Sequence, residues 1–111
     1  MTCSSPPLDA APESVLFHIA EPDEWADAQD DYVTGSLAGE GFIHLSAGHQ
    51  VVATTQRHYA ECSGLLLLEI STPALDAELL RWESAPHGED YPHLYGALPV
   101  AAVSAVHPWP A

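Results

Sequence analysis

Three histidines lie in apolar, strand-like segments where histidine is unusual: Leu16-Phe17-His18-Ile19, Phe42-Ile43-His44-Leu45-Ser46 and Pro92-His93-Leu94-Tyr95. Imidazole can give or take a proton near neutral pH and can ligate a ligand or a metal. In an extended chain successive side chains point to opposite faces. Val15, Phe17 and Ile19 then share one face and His18 the other. Ile43 and Leu45 face a core, with Phe42, His44 and Ser46 behind them, and Leu94 opposes His93 and Tyr95. One strand histidine is ordinarily a solvated or structural residue. Three in the same setting predict a shared half-polar cleft, with His18, His44 and His93 as candidate catalytic groups and Phe42, Ser46, Trp82 and Tyr95 along its walls.

The elements that must hold these residues follow from hydrophobic periodicity and turn chemistry. Residues 1–13 are rich in Ser, Pro and Ala without periodicity and predict a flexible leader, with a single domain over 14–111. A first strand near 15–20 precedes Pro22, Asp23 and Glu24, a helix-starting set. Trp25, Ala28 and Tyr32 continue at helical spacing and predict a first helix over about 22–31 with that stripe in the core. Gly35, Gly39 and Gly41 predict a loop. Ser46 is placed to cap a second helix over about 47–60, whose buried face would be Val51, Val52, Thr55 and Tyr59, with His49 and His58 outside. The apolar run at 65–70 predicts a central strand covered on both faces. Leu80-Arg81-Trp82-Glu83 alternates, residues 84–90 form a turn, and a last strand over 102–107 is expected to stop at Pro108 and Pro110.

Composition narrows the function. With 111 residues the chain makes one α+β domain. It carries 16 acidic residues against two basic ones, Arg57 and Arg81, for a formal charge of -14. Nucleic acids and anionic membranes both need a basic surface, so neither is an expected partner. A small anionic ligand is compatible, since one arginine and backbone N–H groups can hold a phosphate locally. Cys3 and Cys62 have no short-spaced partner, and no segment resembles an export signal or a membrane span, so the expected setting is cytoplasmic. Arg81 pairs with Glu83 two residues along on the same face, or serves as a phosphate or carboxylate clamp; Arg57 is the weaker candidate for that role.

The ordered set of Leu16-Phe17-His18-Ile19, Gly41-Phe42-Ile43-His44-Leu45-Ser46, Leu68-Glu69-Ile70, Arg81-Trp82-Glu83, Tyr91-Pro92-His93-Leu94-Tyr95-Gly96 and Val106-His107-Pro108 resembles the domain-of-unknown-function 952 family over about residues 14–109. The resemblance implies a compact, divergent ADP-ribosyltransferase-like fold, with a bent or split, mainly antiparallel sheet and two main helices around a cleft for NAD or ADP-ribose. It further implies a divergent transferase or NAD-processing enzyme. His18 would match the superfamily's first-strand histidine, which contacts ribose and amide. His44 would stand for its stacking tyrosine, and His93 for the glutamate that supports glycosidic cleavage. Phe42, Ser46, Arg81 and Tyr95 complete the expected ligand contacts. Two of the three correspondences change residue type, and a neutral imidazole supplies only a dipole where a carboxylate would stabilise the developing positive charge. Glu83, Glu89 or Asp90 are the acids that could replace it.

Other readings of the same residues stand beside this one. A small-ligand-binding module would hold a nucleotide without turning it over. A three-histidine metal site would need imidazoles that the spacing does not pair, and no metal is expected. Ser46, two residues from His44 on the same face, could act as a nucleophile or simply as a helix cap.

Overall fold

The run Leu65-Leu66-Leu67-Leu68 has no polar residue to place on a solvated face, and it becomes the middle strand of a sheet buried on both sides. The computed structural model describes residues 6–86 and 88–110. In chain order the elements are β1 (Val15–Ala20), α1 (Pro22–Ala26), β2 (Asp31–Tyr32), α2 (Gly35–Glu40), β3 (Ile43–His44), α3 (Val51–His58), β4 (Leu65–Ser71), β5 (Leu80–Ser84), β6 (Asp90–Leu94), β7 (Leu98–Pro99) and β8 (Val103–Trp109). Short 3-10 turns at Gly48–Gln50, Thr72–Ala74 and Val100–Ala102 join them. Every pairing is antiparallel, in three sheets ordered β1-β4-β8, β3-β6-β5 and β2-β7. The first two are stitched together where Phe17 and Ser46 exchange backbone hydrogen bonds of 2.8 and 2.7 Å. The fold is thus α+β with a split antiparallel sheet.

Two apolar clusters lie on opposite faces of β1 and β4. Leu16, Ala20, Leu68 and Ile70 meet Ile43, Leu45 and Leu94 of the second sheet, together with Tyr32 and Leu98. Phe17, Ile19, Leu65 and Leu67 pack under Val51 of α3, with Leu8, Tyr59 and Trp109 at the margin. Each fully buried Leu or Phe contributes about 1.5–3 kcal/mol relative to exposure. The Trp109 indole N–H donates to Thr55 Oγ1 at 2.8 Å and ties β8 to α3.

Several expectations are corrected. The first helix ends at Ala26, not near residue 31. Its C-terminal turn runs into Asp27, Asp30 and Asp31, acids that the negative end of a helix disfavours, and Asp31–Tyr32 instead pairs with Leu98–Pro99. Trp25 and Ala28 still pack against the cluster that buries Tyr32. The glycine-rich stretch is a helix, not a loop. The Thr34 side chain accepts from Leu37 N at 3.2 Å, Glu24 Oε2 accepts from Gly35 N at 3.0 Å, and Gly41 ends α2 with φ 90°. The second helix spans Val51–His58 after a 3-10 turn, shorter than 47–60. Ser46 does not cap it; the Gln50 side chain accepts from Ala47 N at 2.9 Å. Val52 is 49% exposed, because Val51 and Thr55 already fill the space beneath the helix. The last strand runs through Pro108 to Trp109, which an edge strand permits because a proline there breaks no internal ladder.

The leader falls partly on residues 1–5, outside the described residues. Pro6 to Glu13 make turns, and Leu8 packs so closely on Gly48 that its backbone occupies the place a Cβ would take. No helix among the described residues is long and apolar enough to cross a membrane.

Candidate functional site

The pairing of β3 with β6 sets His44 directly opposite His93, and the pairing of β5 with β6 sets Arg81 opposite His93 and Glu83 opposite Tyr91. Directly opposed residues share a face. These polar residues therefore stand together, while Ile43, Leu94 and Pro92 turn to the core. The Phe17–Ser46 bridge brings β1, and with it His18, to the edge of the same region.

A cavity of about 760 Å³ opens there, and His18, His44, Ser46 and His93 all line it. Phe42, Arg81, Trp82 and Tyr95 do not. Phe42 and Tyr95 lie behind the imidazoles: the Phe42 ring stacks on His93 at 4.0 Å and 17°, with Tyr95 at 5.2 Å. Arg81 makes no ion pair with Glu83; its guanidinium lies 5.3 Å over the Tyr95 ring. Trp82 shares the face of Leu80 and Pro92, opposite to Glu83, and is 44% exposed.

The three imidazoles differ in environment. His18 is not on a half-polar face, as the alternation had implied, because both faces of β1 are covered and His18 shares the Leu16 and Ala20 side. Its Nδ1–H donates to the His44 carbonyl at 2.6 Å, and its Nε2 accepts from the Tyr32 hydroxyl at 2.9 Å. Burial lowers its pKa to about 4, so the ring is neutral at pH 7. Burial likewise raises the Tyr32 phenol above its ordinary value, with Glu24 adding to the shift. His44 is exposed and donates from Nε2 to Glu40 Oε1 at 3.1 Å. His93 donates from Nδ1 to Glu83 Oε1 at 2.7 Å, and Tyr95 O–H donates to the same oxygen at 2.5 Å. The Tyr95 and His93 hydrogen bonds hold the Glu83 carboxyl below its usual range, and the same bond raises Tyr95.

Glu83, Glu89 and Asp90, the acids that the resemblance offered in place of a glutamate, are not in the cavity wall. Glu83 stands behind His93. The Gln50 amide donates to Glu89 Oε2 at 2.9 Å, and Ser84 donates to Asp90 Oδ1 at 2.8 Å. Among the described residues the carboxylates lining the cavity are Glu21, just before α1, and Glu24 in its first turn; the sequence had given Glu24 only a helix-starting role and Glu21 none. The cavity is also lined by Thr54, Arg57 and His58 of α3, with Tyr59 and Tyr91. Arg57 donates to the Tyr91 hydroxyl at 3.1 Å. Thr54, Arg57 and His58 fall at helical i, i+3, i+4 spacing, a polar stripe next to the buried Val51 and Thr55 stripe, and that periodicity was the available signal for them. Among the described residues no three His, Cys, Asp or Glu side chains converge to hold a metal ion.

The fold and cavity define a small α+β protein with a split antiparallel sheet and one histidine-lined pocket. The chain belongs to the family described as protein of unknown function (DUF952), whose model matches residues 19–106. It is similar to protein CC0527 from Caulobacter crescentus. The crystal structure of that protein is 32% identical with a TM-score of 0.78, covering 86% of this chain and 85% of that one. The solution NMR structure of the same protein gives 33% identity and a TM-score of 0.71, over 85% of this chain and 83% of that one. No curated protein matches the chain.

Proposed function

We propose that the cavity binds a nucleotide of the NAD or ADP-ribose class, on a divergent ADP-ribosyltransferase-like scaffold. The observation that carries this reading is the gathering of Arg57, His44, His93, Ser46 and Thr54 onto one cavity of about 760 Å³ in a chain with only two arginines and no lysine. That volume falls in the range that encloses a small organic ligand. Arg57 supplies the phosphate contact, since a guanidinium matches two phosphate oxygens at once. Tyr59 and Tyr91 supply apolar wall for a ring, and Glu21 and Glu24 face the end that carries positive charge. His18 acts as wall: both its ring nitrogens are engaged, and a ligand meets only the carbon edge of the ring. The partner is a small molecule, and the charge of -14 disfavours polyanions.

Binding without turnover is the second reading. It is favoured by the internal hydrogen bonding of Glu83, the acid that contacts His93, the residue standing where the superfamily uses a carboxylate.

A thermal-shift series with NAD, ADP-ribose and nicotinamide tests the assignment. A hundredfold excess of ligand over Kd adds about 2.7 kcal/mol to the native state and raises the midpoint accordingly. NAD and ADP-ribose are expected to raise it, Arg57→Ala to weaken both by tenfold or more in Kd, and Arg81→Ala to leave them unchanged. No shift with either nucleotide, or equal shifts in wild type and Arg57→Ala, refutes the reading.

A further inference from the structure

We infer that His93 is the proton acceptor of this cavity, with Glu83 and Tyr95 as the positioning residues that hold it in the competent tautomer. This rests on the cavity being the ligand site proposed above. Of the three imidazoles, His18 has both nitrogens committed to the His44 carbonyl and the Tyr32 hydroxyl, so it has no lone pair to offer. His44 has a 53% exposed side chain and turns its Nε2 to Glu40, where water competes for any proton it would take. The His93 side chain is 15% exposed, lines the cavity, and is held by a carboxylate at 2.7 Å.

The tautomer follows from that contact. A carboxylate only accepts, so Nδ1 carries the hydrogen, and in the neutral ring the lone pair is then on Nε2. Nε2 has no hydrogen-bond partner among the described residues, and Glu83, on the Nδ1 side, is not part of the cavity wall. Phe42 fixes the plane of the ring by stacking at 4.0 Å. Tyr95 donates to the same Glu83 oxygen and keeps the carboxylate aimed at Nδ1. The charged or titratable groups facing this assembly are Glu83 and Arg81 from β5, His44 from β3 with its partner Glu40 from α2, and Tyr91 and Tyr95 from β6 and its continuation.

For bound NAD and water the step balances as follows. A water O–H bond breaks and its proton passes to Nε2. The oxygen electron pair forms a bond to the anomeric carbon. The bond from that carbon to the nicotinamide nitrogen breaks, and nicotinamide leaves as a neutral molecule with the electron pair. The imidazolium, paired with Glu83, then returns its proton to solvent, so NAD and water become ADP-ribose, nicotinamide and a proton. A positioned base of this kind contributes about 10²–10⁴-fold.

Three readouts on the purified full chain test this. Heteronuclear NMR of the ring nitrogens reports the His93 tautomer, carbethoxylation by diethylpyrocarbonate reports an open Nε2, and nicotinamide release from NAD reports turnover. The Nδ1–H tautomer, faster acylation of His93 than of His18, and a release rate cut by ~10²-fold or more in His93→Ala are expected. Glu83→Gln should scramble the tautomer and slow release, with Glu83→Asp recovering part of both; a merely structural Glu83 would leave the tautomer unmoved. An Nε2–H tautomer in the wild type, a release rate that His93→Ala does not change, or bound NAD that is never cleaved overturns the inference. Absence of any NAD-induced thermal shift, with the tautomer and acylation as expected, removes the nucleotide assignment and supports His93 as the base for a different ligand.

Discussion

Acid should destabilise this protein through His18 in a way that a single substitution isolates. The ring is buried among Leu16, Tyr32 and the strands around them, and its folded pKa is lowered from 6.5 to about 4, chiefly by burial. Below pH 6.5 the unfolded chain takes up a proton that the folded chain refuses, so the contribution is fully present above that pH and is lost as pH falls toward 4. Linkage with those two values gives a loss of about 2 kcal/mol at pH 5 and about 3 kcal/mol at pH 4 from this one group. Domains of this size are stable by about 5–15 kcal/mol, so the loss is large enough to measure and to matter. The substitution leaves all sixteen acidic residues in place, so the comparison cancels their contribution. His18→Gln can still donate to the His44 carbonyl and accept from Tyr32, but it does not ionise. Urea unfolding of both proteins at intervals from pH 7 to pH 4 yields the stability difference directly. The gap should shift by about 3 kcal/mol in favour of the variant across the series. A gap that stays constant with pH refutes the argument, because it would mean that His18 titrates alike in the folded and unfolded chains.

Two further expectations follow from the packing. Tyr32→Phe removes the donor to His18 Nε2 and leaves a buried acceptor unpaired, which should cost about 1–3 kcal/mol in chemical denaturation; a change below a few tenths would show that another donor replaces the hydroxyl. Gly48→Ala places a methyl group into the Leu8 backbone, so either the native state loses about 1–3 kcal/mol or residues 6–13 detach and become sensitive to limited proteolysis. Wild-type stability together with wild-type protease resistance would refute the close contact.

The sequence alone was enough to settle what rests on local chemistry. The apolar run at 65–70 had no solvated face to offer and is the central strand. The alternation at 42–46 placed Ile43 and Leu45 in the core, and the ordered motifs pointed to the family that matches residues 19–106. Helix limits depended on partners far along the chain. Asp31 and Tyr32 leave the helical pattern because Leu98 and Pro99 offer a ladder, and Gly35 and Gly39 lie in a helix because Thr34 and Glu24 satisfy its first N–H groups, with Gly41 ending it. The same holds within the cavity. His18 was legible as an oddity, but that both its nitrogens are spent depends on Tyr32, 14 residues away, and on a carbonyl 26 residues away. Arg57 rather than Arg81 reaches the cavity because α3 lies along one of its walls, while Arg81 is drawn over Tyr95. Periodicity reports which face a side chain takes, but only the packing of one element on another decides what that face meets.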